Sequence, residues 1–255
     1  MKSIREFGVF QETIDLLHGH HSDRLFSSDP VSEDVLDAII KSAYRGPTSI
    51  NGQHVSVVVV RDPARRARIA YIAGGQAWIE KAPVFITLVV DFQKTRTAVE
   101  WVGKRQLIHE SLEGFAVGTL DAGIALANLM VSARAHGLGI VPIGGIRKDP
   151  QAMIDLLLLP PLTFPVVGLC IGHVEKPAPQ KPRLPISTFR HDEVYHPEAI
   201  ANAIHDYDQE MLAYWQSIGR SDGLPWSANT ASFYERIYFP KTAKVARTQG
   251  FSFDN

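Results

Sequence analysis

The 255-residue chain carries 26 lysines and arginines against 27 aspartates and glutamates, with 45% hydrophobic and 21% charged residues. A formal net charge of −1 excludes a nucleic-acid binder that works through net positive charge, and the apolar fraction excludes wholesale disorder. Cys170 is the only cysteine, which excludes an internal disulfide and any cysteine-based zinc or iron–sulfur centre.

The length fits one large domain or two small ones. Met1 to Phe10 holds Lys2, Arg5 and Glu6 without an apolar core, so it does not read as a signal peptide. The long apolar stretch Leu156 to Val174 contains Pro160, Pro161 and Pro165, and reads as a helix end, a turn and a strand rather than a membrane span. These features predict a soluble protein of a reducing compartment, the cytoplasm.

In chain order, the first clear helix is Ser32 to Ala43. Ser32 can cap it, Glu33 and Asp34 occupy its first turn, and Val35, Leu36, Ile39, Ile40 and Ala43 form one apolar stripe. The β-branched run Val55 to Val60 predicts a strand. Asp62-Pro63 then starts a helix, with aspartate as cap and proline at its first position. Val84 to Val90 reads as a buried strand. Phe115 to His136 reads as a long helix, apolar all round and therefore covered on more than one side, ended by Gly137 and Gly139. Ile140 to Ile143 is strand-like and Gly144-Gly145 follow. Asp149-Pro150 opens a helix that stops at Pro160, Val166 to Ile171 is a strand, and Lys176 to Pro185 is a proline-rich extended segment. Ile204, Tyr207, Met211, Trp215 and Ile218 give a late helical stripe.

Helices and strands mix without regular βαβ alternation, which predicts an α+β domain with a central sheet between helical layers. The last 67 residues hold 12 of the 23 aromatics. They either cover the chain's own core or embrace a second subunit, since aromatics are enriched at interfaces.

The dinucleotide fingerprint, the P-loop, H-E-x-x-H and G-x-S-x-G are all missing. The positive signals are five. His18-Gly19-His20-His21-Ser22-Asp23-Arg24 suits a metal, an anion or a polar turn. Lys181-Pro182-Arg183 places two cations two apart in a stiff extended segment, on one side. Ile143-Gly144-Gly145-Ile146-Arg147 lets backbone approach a flat ligand, or is an ordinary strand-to-helix turn. Gly74-Gly75-Gln76 offers an amide with both a donor and an acceptor, or a helix end. The loop Gly46 to Gln53 joins a helix to a strand, where loops often line ligands.

Taken in order, these motifs resemble the A-type oxygen-insensitive nitroreductases and their flavin-reductase relatives. The resemblance runs on H-x-S-x-R (His20 to Arg24), Ser32-Glu33, Pro47 to Gln53, G-G-Q (Gly74 to Gln76), I-G-G-I-R (Ile143 to Arg147), G-L-C-I-G (Gly168 to Gly172) and K-P-R-L-P (Lys181 to Pro185). It extends from about His18 to Tyr214.

The resemblance implies a three-layer α/β/α sandwich with a mixed, mainly antiparallel central sheet. It implies a core over residues 1–190 and an aromatic-rich extension over 191–255, of the same domain, that packs on the partner of a homodimer. It implies an FMN-dependent NAD(P)H oxidoreductase, with ping-pong two-electron reduction of nitroaromatics, quinones or related flat acceptors. The alternatives are a flavin reductase that supplies a partner monooxygenase, and a non-catalytic flavin-binding module.

Carried over by position, His20, Lys181 and Arg183 would hold the FMN phosphate, with His21 and Ser22 beside them. Arg24 and Gln76 would meet the pyrimidine edge of the ring. Thr48 and Ser49 match the family's serine-rich loop. Ile143 and Gly144 would lie against the cofactor, and the Gly145 N–H would face the flavin N5, which accepts hydride. No side chain acts as a nucleophile, and Cys170 reads as core.

His21 stands where the family usually has arginine, and Pro142 where it has tyrosine. Relatives selective for NADPH carry an arginine-rich loop after the Tyr214 helix. Here Gly219 to Gly223 holds a single arginine, leaving Arg220 as the candidate contact to the NADPH or NADH donor.

Overall fold

The computed structural model describes residues 8–253, so most of the Met1–Phe10 stretch read for a leader lies outside them. The helices are α1 Gly8–His18, α2 Glu33–Tyr44, α3 Pro63–Ile72, α4 Ala77–Lys81, α5 Phe92–Trp101, α6 Leu112–Ala135, α7 Pro150–Leu157, α8 Ile200–Ser217, α9 Trp226–Tyr234 and α10 Thr242–Thr248. The strands are β1 Val55–Val60, β2 Val84–Asp91, β3 Gly139–Ile143 and β4 Thr163–Gly172. The chain forms two compact units, residues 8–178 with 239–253, and Pro179–Tyr238.

The caps form as the sequence dictates. Ser32 accepts the Val35 N–H at the start of α2, and Asp62 accepts the Arg65 N–H ahead of Pro63 in α3. α7 ends at Leu157 rather than at Pro160, because Leu158 takes the left-handed C-cap conformation at φ 53°. Five of the described helices escaped the sequence pattern: α1, α4, α5, α9 and α10. α5 (FQKTRTAVEW) buries only Phe92, so it carries no apolar stripe to read.

The sheet order is β1-β2-β4-β3. Every described strand pairing is antiparallel, so only the antiparallel part of the expected mixed sheet is present among the described residues. β2 and β4 lie in the centre and are buried along nearly all their length, which requires cover on both faces.

Side-chain alternation divides the cover cleanly. Phe85, Val141, Ile143 and Cys170 face Ile69, Ile79 and Met153 of α3, α4 and α7. Ile86, Leu88, Ile140 and Ile171 face Leu36 and Ile39 of α2 and Leu129 and Ala133 of α6. The result is the three-layer α/β/α arrangement. Cys170 is fully enclosed, and burial pushes its thiol pKa well up, so it is core. Gly168 is explained by packing as well: a Cβ there would fall 2.2 Å from the Phe85 ring.

α6 is long and apolar enough to cross a membrane by length and composition. In this fold Gly118, Ala122, Ala125, Leu129 and Ala133 form its buried side, while Leu112 and Leu120 stay exposed.

The last residues return to the first unit. Phe115 meets Phe164, Phe251 and Phe253 edge to face, at 5.6, 5.6 and 5.3 Å. These two tail aromatics therefore cover the chain's own core. Lys241 Nζ lies 2.7 Å from Asp149 Oδ2, the N-cap of α7, and that contact holds the Asp149 carboxyl below its usual pKa.

A depressed carboxylate pKa gives stability that is present above the unfolded pKa and lost as pH falls through the folded one. Lys241→Met is thus expected to lower the melting temperature near neutrality. The gap to wild type should close on acidification through the carboxylate range, as thermal melts at stepped pH would show.

Candidate functional site

Two glycine-containing turns meet at the end of β3. Ile143 is buried in the core, so it can offer a ligand only its backbone. Gly144–Lys148 then form a 3-10 turn. A Cβ on Gly145 would lie 2.5 Å from Gln76 Nε2 and 2.8 Å from the Ala73 carbonyl, so the I-G-G and G-G-Q motifs touch only because this residue is glycine. Gln76 Nε2 donates to Ala73 O at 2.9 Å, which fixes the amide. Arg147 is held behind the turn, donating to the Val166 carbonyl with its guanidinium over the Phe239 ring.

After α1 ends at His18, the chain extends and meets β3 at Asp23, whose N–H donates to Ile140 O at 2.9 Å. In an extended run, alternate residues face opposite ways. Asp23 points inward and is fully buried. Its carboxylate accepts the N–H groups of Ile140 (3.3 Å) and Ala178 (3.1 Å), with His21 Nε2 at 3.2 Å and Arg134 Nη1 at 3.7 Å.

His21 sits inward with it. Its Nδ1 is 2.9 Å from Gly19 O and its Nε2 3.0 Å from Arg134 Nη1, so both ring nitrogens are engaged within the chain. His20, Ser22 and Arg24 are the alternate residues. The Arg24 guanidinium lies 5.2 Å from the centre of the Trp78 ring. Among the described residues no group of three or more histidine, cysteine and carboxylate side chains is placed to hold a metal ion.

The loop before β1 borders a cavity of about 620 Å³ lined by Thr48, Asn51, Gln53, Lys94 and Asp121 among others. Thr48 Oγ1 accepts the Gln53 N–H, and the Ser49 N–H donates to the buried Asp121. Ile50, Asn51 and Gln53 all have positive φ. For residues other than glycine, each such conformation costs about 1–2 kcal/mol.

The Pro179–Tyr238 unit contains Lys181, Arg183 and Arg220 on one cavity of about 460 Å³, with Trp215 and Trp226 in its wall. Tyr207 donates its hydroxyl to the Pro182 carbonyl at 2.8 Å, tying the Lys-Pro-Arg segment to α8, and burial raises the Tyr207 pKa. The Lys181 ammonium and the Arg220 guanidinium both lie over Trp215, at 5.0 and 4.6 Å. Arg220 is also paired through two hydrogen bonds with Asp222, at 3.1 and 2.9 Å. That pairing raises the arginine pKa and lowers the aspartate's.

Sequence reasoning did not single out Asp23, Lys94 or Asp121. The only signal for Asp23 was its alternation with His20, Ser22 and Arg24.

The first unit thus carries a sheet covered by helices on both faces with glycine turns at the end of β3, and the Pro179–Tyr238 unit carries a cavity walled by lysine, arginine and tryptophan. The family model described as "Nitroreductase family" matches residues 17–173, and "Nitroreductase family, C-terminal domain" matches residues 181–254. The chain belongs to the nitroreductase family.

It is 40% identical over 245 residues to a Bacillus subtilis protein named FMN reductase (NAD(P)H), covering 94% of this chain and 98% of that one. The solved structure of B. megaterium NfrA2 superposes with a TM-score of 0.93 at 38% identity, over 96% of this chain and 99% of that one. The Vibrio harveyi NADPH:FMN oxidoreductase complexed with NAD+ superposes with a TM-score of 0.85 at 29% identity, over 93% and 97%.

Proposed function

We propose that the chain is an FMN-dependent NAD(P)H oxidoreductase that reduces nitroaromatics, quinones or related flat acceptors by two-electron, ping-pong exchange. The observation that carries this reading is the match of the family over nearly the whole chain, with both family models in register with the motifs. The donor set fits the cofactor. A phosphate dianion calls for Lys181 and Arg183, which share one cavity wall. A flat ring calls for backbone without side chains, and Gly145 has no room for a Cβ.

Bound FMN supplies redox chemistry between a nicotinamide donor and an acceptor that occupy the same place in turn. The protein binds, orients and excludes water. By the family resemblance, Lys181, Arg183 and His20 would hold the phosphate, and Ser22 would assist. Arg24 supplies positive charge and Gln76 an amide toward the pyrimidine edge, while Ile143, Gly144 and Gly145 offer backbone. Thr48 and Ser49 would line the ring's side of the site. His21 acts through Asp23 and Arg134 as a positioning residue rather than as a phosphate ligand, because both its nitrogens are already engaged.

A homodimer in the cytoplasm completes the reading: an apolar α6 with an exposed side is suited to cover by a twin subunit. The B. subtilis relative, named FMN reductase, supports a second reading, in which free FMN is itself the acceptor. Steady-state rates with free FMN and with nitrofurazone as alternative acceptors separate the two. Protein that stays colourless and takes up no added FMN contradicts both.

Arg220 bears on the donor. Its charge is already paired with Asp222, so it has little to offer a 2′-phosphate. Asp222→Asn is expected to raise the ratio of kcat/KM for NADPH over NADH by roughly three- to tenfold, the scale of one charge-assisted contact.

A further inference from the structure

The loop between α2 and β1 holds a backbone that its own residues oppose. Ile50, Asn51 and Gln53 have φ of 48°, 56° and 51°. Positive φ at a β-branched residue is a genuine outlier, and Ile50 is in addition 97% exposed. Such a conformation persists only where contacts outside it over-determine it.

Two residues outside the loop do so, and one contact within it joins them. At the start, Asp121 Oδ2 accepts the Ser49 N–H at 2.9 Å. At the end, Lys94 Nζ donates to the carbonyls of Gln53 and Val55, at 2.9 and 3.1 Å. Across the middle, the Gln53 N–H donates to Thr48 Oγ1 at 3.1 Å.

Asp121 is itself confined. The buried His54 ring stacks on Phe92 with centroids 5.0 Å apart and planes 6° apart. Its Nε2 stands 2.9 Å from the same Asp121 oxygen, without the alignment of a hydrogen bond. Asp121 and Lys94 also line the 620 Å³ cavity with Thr48, Asn51 and Gln53.

We propose that Asp121, Lys94 and His54 are positioning residues that clasp the 48–53 loop in its strained form, and so present Thr48 and Ser49 ready-made to the ligand. The identity of that ligand as flavin rests on the functional reading above; the clasp does not. A loop held this way has its ordering cost met on folding, so binding is not weakened by it.

The test uses the full chain, with and without FMN, and the variants Lys94→Met, Asp121→Ala and Asp121→Asn. Hydrogen exchange reads the Ser49 and Gln53 amides in FMN-free protein. Fluorescence titration reads FMN affinity, and steady-state kinetics reads kcat and KM for the acceptor. Ser49 exchange should rise about tenfold or more in Asp121→Ala, the scale of one lost hydrogen bond to a charged group. It should stay near wild type in Asp121→Asn, whose amide oxygen still accepts.

Lys94 is exposed, so Lys94→Met leaves the core intact. That variant should weaken FMN binding by roughly three- to tenfold and raise the acceptor KM more than it lowers kcat. An unprotected Ser49 amide in the wild type overturns the proposal, as does wild-type FMN affinity in both Lys94→Met and Asp121→Ala. A protected loop in a chain that never takes up FMN supports the clasp and overturns the flavin reading instead.

Discussion

Replacing Asp23 by alanine is expected to destabilise the chain by about 3–5 kcal/mol, the cost of removing one member of a buried charged cluster. Asp23 is fully buried and serves two backbone N–H groups, on Ile140 and Ala178, besides His21 and Arg134. Its loss leaves those amides without their acceptor, the Ile140 amide out of reach of water, and the partly buried Arg134 without its counter-ion. It also removes what holds the His20–Arg24 segment to β3.

Asp23→Asn keeps one acceptor oxygen and should cost less. Urea unfolding at equilibrium measures both. A change within about 1 kcal/mol for Asp23→Ala, the size of an ordinary surface substitution, would show that the cluster is not what fixes this segment.

Arg183→Ala is the second large effect. A hydrogen bond to a charged group contributes about 1.5–3 kcal/mol, so FMN affinity should fall roughly ten- to hundredfold. Arg183 shares its cavity wall with Lys181, and the Tyr207 hydroxyl anchors the intervening Pro182 carbonyl, so the segment keeps its place when the guanidinium is removed. Arg183→Lys should fall between the two, because it keeps the charge and loses the planar fork. Titration of FMN fluorescence against each variant gives the answer. Unchanged holoenzyme content in Arg183→Ala would take the phosphate away from this residue.

What could be read from the sequence was local. Ser32 and Asp62 as caps, the valine run of β1 and the alternating faces of β2 and β4 follow from neighbours in the chain. So did the paired cations of the Lys181–Arg183 segment. α5 carries no apolar stripe: besides its local Asp91 cap, it is tied down by Lys94, whose ammonium donates to the Gln53 carbonyl 41 residues earlier.

Asp23 and Asp121 were missed for a related reason. Their partners are backbone amides 117 and 72 positions away, Ile140 and Ser49, and an amide leaves no mark in a sequence. His21 is expected at the cofactor because it stands where the family usually has arginine. Its ring nitrogens lie against Gly19 O and Arg134, contacts made by fold partners that a sequence does not mark.

Anaerobic mixing of the FMN-loaded protein with NADPH and with NADH tests the central claim most directly. At least one donor should bleach the bound flavin, and an added quinone or nitroaromatic should restore its colour. A bound flavin that neither nucleotide bleaches would contradict it, and would make the chain a flavin-binding module without this activity.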